Sequence, residues 1–136
     1  MIATPTKTNS TIAYSSRTVL RAETAMRCAP FSLKLYATML DQSVGLSAIT
    51  GPSGVENHYT TQPQSELKAE GALMWLIQVG LLRREVDGQG LTDSFRLTPL
   101  GRQLVDKWHS QGGNWPAPSW FDHLKNTFNR WFRLPF

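Results

Sequence analysis

One cysteine in 136 residues leaves nothing for an internal disulfide. Cys28 fits a reducing compartment, and the expected localisation is cytoplasmic. No apolar run approaches the roughly 18 residues that mark a membrane span. Residues 1–16 are rich in Ser and Thr and lack the apolar stretch of a secretory signal. The three histidines, His58, His109 and His123, have no Cys or His at ligand spacing, so no metal site is expected. Gly51-x-x-Gly54 and Gly88-x-Gly90 lack the Lys-Ser/Thr or strand-to-helix context of a phosphate loop. Asp106 and His109 read as a surface pair rather than a catalytic dyad. No serine sits in a nucleophile elbow. These absences point away from an enzyme, a cofactor or a small-molecule substrate.

What is present is 40% apolar and 18% charged, the composition of a globular domain with one core. The net charge of +4 is unevenly placed. Residues 1–40 hold five basic residues against Glu23, giving +4. Residues 41–106 hold five against eight acidic ones, giving −3, and residues 107–136 hold four against Asp122, giving +3. The basic character lies at the ends, which weakens any step from net charge to nucleic acid.

Four segments follow from the pattern: a flexible tail over 1–14, a domain over 15–110, a Pro/Gly linker over 111–118 and an amphipathic helix over 119–136. Ser15 or Ser16 caps a helix to Cys28, and Phe31 to Leu40 reads as a second helical stretch. Ser43 is expected to cap a short helix, Val44 to Ile49, stopped by Gly51-Pro52-Ser53-Gly54, with a loop over Val55 to Pro63. A long helix spans Ser65 to Val79 and closes at Gly80. Leu81 to Val86 and Ser94 to Leu97 form a hairpin around Asp87-Gly88-Gln89-Gly90. Thr98-Pro99 then opens a helix that buries Leu100, Leu104, Val105 and Trp108.

Two stretches carry a resemblance. Leu73-Met74-Trp75-Leu76-Ile77-Gln78-Val79-Gly80-Leu81-Leu82-Arg83-Arg84 resembles the end of a recognition helix and the first wing strand of winged-helix regulators. Phe95-Arg96-Leu97-Thr98-Pro99-Leu100-Gly101-Arg102-Gln103-Leu104 resembles their second wing strand and last helix. Both are similar to the multiple-antibiotic-resistance and phenolic-acid repressor types. The fold expected is therefore mainly α with a small β-hairpin wing, a winged helix-turn-helix. The whole chain, including Trp-Pro-Ala-Pro-Ser-Trp and the ending Arg-Leu-Pro-Phe, also resembles a small cyanobacterial family of uncharacterised proteins.

The resemblance implies DNA binding in a transcription-regulator role, with double-stranded DNA as partner. Arg83, Arg84 and Arg96 would hold phosphate, while Gln64, Ser65 and Lys68 would approach bases. The residues themselves pull the other way. Ala69, Leu73, Leu76, Ile77 and Gly80 form the core face of the long helix, yet its back carries Leu67, Gly71, Met74, Trp75 and Gln78. A face that reads DNA should be polar and basic. The alternative is a winged helix used as a protein-interaction or membrane-peripheral adaptor, or as a homodimer, with Leu67, Met74, Trp75, Trp120, Phe121, Phe128 and Trp131 at the interface. In the last helix, Phe121, Leu124, Phe128 and Phe132 line one stripe, and His123, Asn126, Arg130 and Arg133 face away from it. That stripe either docks on the back of the long helix, with Trp120, Phe121 and Phe128 near Leu67, Met74 and Trp75, or meets a membrane or partner.

Overall fold

The computed structural model describes residues 13–110, 112 and 120–132, with the side chains of the last helix over 122–130. Among these, seven helices accompany a small three-stranded antiparallel sheet. In chain order the elements are α1 (Ser16–Cys28), α2 (Leu33–Thr38), β1 (Val44–Gly45), α3 (Leu46–Ile49), α4 (Gly51–Glu56), α5 (Glu66–Gln78), β2 (Leu82–Asp87), β3 (Gly90–Leu97), α6 (Pro99–Ser110) and α7 (Trp120–Phe132).

Local chemistry sets the helix starts. The Ser15 hydroxyl accepts the Thr18 N–H at 3.1 Å, and the Ser65 hydroxyl accepts that of Lys68 at 3.2 Å. Gly80, at φ +88°, takes the left-handed conformation that ends α5 and sends the chain directly into β2. The junction of β3 and α6 is tighter still. The Thr98 hydroxyl lies within donating distance of the Gly80 and Leu81 carbonyls and accepts the Gly101 N–H at 3.1 Å. A Cβ at Gly101 would collide with the Leu81 carbonyl oxygen, so the Thr98-x-x-Gly101 spacing is a packing requirement.

The sheet order is β1-β3-β2. Leu82 pairs with Leu97, Arg83 with Arg96 and Arg84 with Phe95; the register then shifts before Val86 pairs with Leu91. The hairpin expected from the sequence is therefore present, and β3 begins earlier than expected, at Gly90. The short helix expected over Val44 to Ile49 is corrected: Val44 and Gly45 form a strand against Phe95 and Ser94, and the helix begins at Leu46. A two-residue strand is too short to show alternation. The expected stop at Gly51–Gly54 is also corrected. Gly51, at φ +59°, turns the chain and Pro52 opens α4, which runs into the segment read as a loop. Gly54 sits so close to the Ile49 carbonyl that no side chain fits there.

The core is continuous. Met26 of α1, Leu35 and Tyr36 of α2, Ile49, Leu73 and Leu76 of α5, Phe95 of β3 and Val105 of α6 are buried together, with Tyr14 packed partly against them. The linker residues 113–118 and the side chains of Trp120, Phe121 and Trp131 lie outside the described residues.

Candidate interaction surface

Of the residues expected to read DNA, Gln64, Ser65 and Lys68 lie at the start of α5 and the three arginines on the hairpin, where Arg83 pairs with Arg96 and Arg84 with Phe95, so that Arg84 faces the opposite side of the sheet from the other two; most are already engaged. Arg84 is the extreme case. Its guanidinium approaches Glu70 of α5 at 3.5 Å and Asp93 of β3 at 3.0 Å, and donates to the Thr92 carbonyl at 3.2 Å. It also lies 5.2 Å from the centre of the Phe95 ring and 3.4 Å from the Met74 sulfur. Its side chain is only 17% exposed. Such a residue fastens the wing to the long helix through charge, cation–π contact and packing of its stem.

Glu85 answers the other two wing arginines. Its carboxylate is 3.4 Å from Arg83 and 3.3 Å from Arg96. Arg83 remains half exposed, whereas Arg96 is largely covered. Ser65 is the cap of α5, and Gln64 turns its amide toward the Gln62 carbonyl at 3.4 Å. Lys68 is exposed on the first turn. The surface around these groups is apolar and acidic. Leu67 is 82% exposed and Met74 42%, and at the hairpin tip Val86 and Leu91, partners across the strands, are both exposed.

Trp75 behaves differently from its neighbours on the back of α5. It is buried, and its indole N–H donates to the Asn126 side-chain oxygen at 2.8 Å. Arg130 lies over Gly71, with its guanidinium 3.3 Å from where a Cβ would be. Asp122 meets Arg27 of α1 at 3.1 Å. The last helix thus docks on α1 and α5 through Asp122 together with Asn126 and Arg130, two of the residues expected to face away. Leu124 and Phe128, from the stripe considered for docking, are each 49% exposed. Periodicity identified two faces on this helix, but could not weigh a cluster of specific polar contacts against an apolar area.

Burial, followed by the nearby Asp122 carboxylate, pushes the Cys28 thiol up, against the opposing effect of Arg27. Among the described residues, no group of three His, Cys, Asp or Glu side chains is placed to hold a metal ion. No described helix is long and apolar enough to cross a membrane.

No curated protein and no solved structure matches the chain. A family model described as Npun_F0494-like matches residues 12–130, and the chain belongs to that family.

Proposed function

We propose that this chain is a non-enzymatic winged-helix module that acts as a protein-binding adaptor through the outer side of α5 and the hairpin. The fold part of this reading is supported by the strand order β1-β3-β2, with helices inserted between β1 and the hairpin and α5 leading directly into β2. The functional part rests on one observation. The arginine best placed to link helix and wing, Arg84, is held by Glu70, Asp93 and Phe95.

A duplex-reading surface needs cations available to phosphate. Here the wing arginines face carboxylates, and Leu67 and Met74 of α5 and Val86 and Leu91 of the hairpin are exposed apolar side chains. An apolar strip with an acidic margin suits a protein segment that carries apolar side chains flanked by basic ones. Duplex DNA is the second reading, favoured by exposed Lys68 on the first turn of α5 and by half-exposed Arg83.

A photo-crosslinking residue at Leu67 or Leu91, introduced in the native host, tests the assignment. The adaptor reading expects a protein adduct of one discrete mass from both sites, lost when Met74→Asp is added. Adducts to DNA alone, or protein adducts indifferent to Met74→Asp, contradict it.

A further inference from the structure

The sheet ends on β2. In the order β1-β3-β2, one side of β2 pairs with β3, and the other carries no strand among the described residues. The Thr98 N–H donates to the Leu81 carbonyl at 3.0 Å, which makes residues 81 and 98 a hydrogen-bonded pair. Bonded and non-bonded pairs alternate, so Arg83 exchanges bonds with Arg96 while Leu82 and Arg84 turn their main-chain groups outward. The Glu85 carbonyl faces inward, where it accepts the Thr92 hydroxyl at 3.0 Å. Val86 therefore continues the outward set. Leu82 is buried, so the accessible stretch of edge is Arg84 and Val86. Among the described residues, no other element bonds to the main chain of either.

Edge strands are normally blunted by a bulge, a proline or scattered charge. β2 has no proline, and the irregularity of the hairpin lies on β3, where residues 92–94 stand against Glu85 alone. The charges of β2 are ordered, basic at Arg83 and acidic at Glu85 and Asp87. All three fall on the sheet face opposite Arg84. An order that runs from basic to acidic matches itself when the strand is laid antiparallel to its own copy. The hairpin tip adds apolar area beside it, because Val86 and Leu91 are both exposed and stand across from one another.

We propose that two copies of this chain join through β2, antiparallel across a two-fold axis at Glu85, and merge their three-stranded sheets into one. Arg84 of each copy exchanges main-chain hydrogen bonds with Val86 of the other. Arg83 of each then stands opposite Asp87 of the other. The Glu85 carboxylates meet at the axis, each already 3.4 Å from its own Arg83 and 3.3 Å from its own Arg96. The neighbouring registers are worse. Centring on Arg84 requires the covered edge of Leu82 and sets Arg84 against Arg84. Centring on Val86 sets Glu85 against Asp87, like charge against like. A foreign strand would find the same main-chain groups, but the charge order of β2 is complementary to β2 itself. This inference does not depend on the adaptor reading, which the crosslinks at Leu67 and Leu91 test even in a monomeric chain.

Sedimentation velocity of the full chain over a range of concentrations is the test. The wild type should show a reversible monomer–dimer equilibrium that weakens as salt rises. Val86→Pro removes an N–H that faces outward, at a position where an edge strand tolerates proline, and should weaken dimerisation at least about tenfold. Arg83→Asp and Asp87→Arg should each weaken it about fivefold or more, since each sets like charges opposite one another on both sides of the axis. Mixed in equal amounts, those two variants should associate as tightly as the wild type, because every such position then faces the opposite charge. All three should keep the wild-type circular dichroism, which separates lost pairing from lost folding. A wild type that stays monomeric up to its solubility limit would overturn the proposal. So would a dimer that Val86→Pro leaves intact, or a mixture of the charge variants that associates no better than either alone.

Discussion

The Trp75 indole N–H donates to the Asn126 side chain at 2.8 Å, joining α5 to a helix 51 positions further along the chain. A buried indole finds its acceptor on the last helix, so that helix is part of the folded body. Asn126→Leu keeps the volume and removes the acceptor, leaving a buried donor unmatched. The expected loss is about 1–3 kcal/mol in denaturant unfolding. Adding Trp75→Phe should recover part of it, and fully additive losses would mean the two residues are not coupled.

Gly101 is the second point of close approach. A methyl group there would meet the Leu81 carbonyl oxygen and stand 2.8 Å from a Leu97 methyl. Gly101→Ala should destabilise by about 1–3 kcal/mol despite favouring helix intrinsically, as in other overpacked sites. An unchanged or raised melting temperature would show that α6 can move away from the β2 start.

Tyr36 gives the fold a dependence on alkaline pH. Burial pushes its hydroxyl far above the ordinary range, and the hydroxyl donates to the Met26 carbonyl at 3.4 Å. Below about pH 10 both folded and unfolded chains keep the proton, so Tyr36 contributes no slope. Above it, the unfolded chain ionises while the folded one stays neutral, and stability falls by up to about 1.4 kcal/mol per pH unit. Tyr36→Phe should remove this share of the alkaline loss, as read from unfolding curves on either side of about pH 10. Identical slopes in both proteins would contradict the assignment.

Arg84 and Arg83 are neighbours in sequence with different roles. Arg84→Ala removes contacts to α5, β3 and an aromatic ring, and should cost about 1–2 kcal/mol. Arg83→Ala, at a half-exposed site, should stay within about 0.5 kcal/mol. Thermal melts of the two variants provide the comparison, and equal losses would contradict the different roles.

The elements legible in the sequence are those written locally. Ser15 and Ser65 announce their helices by capping chemistry, Gly80 announces an ending, and Asp87 to Gly90 announces a turn. Thr98 and Gly101 mark a junction whose reason, the approach to Leu81, only the packed structure displays. What was illegible depends on partners distant in sequence. Val44 and Gly45 become a strand because Phe95 and Ser94 are beside them. Arg84 reads as a phosphate contact until Glu70 and Asp93 are placed next to it. Asn126 looks like a solvent-facing residue until Trp75 is found against it.

The central claim, that the wing arginines serve the fold and not a duplex, is tested most directly by a salt titration of binding to random-sequence duplex DNA. The comparison is between the wild type and Arg83→Ala/Arg84→Ala/Arg96→Ala, under conditions where both are folded. The two proteins should show the same slope of log affinity against log salt, or neither should bind measurably. A slope flatter by about 2–3 units in the variant would contradict the claim, because that is the signature of three lost phosphate contacts.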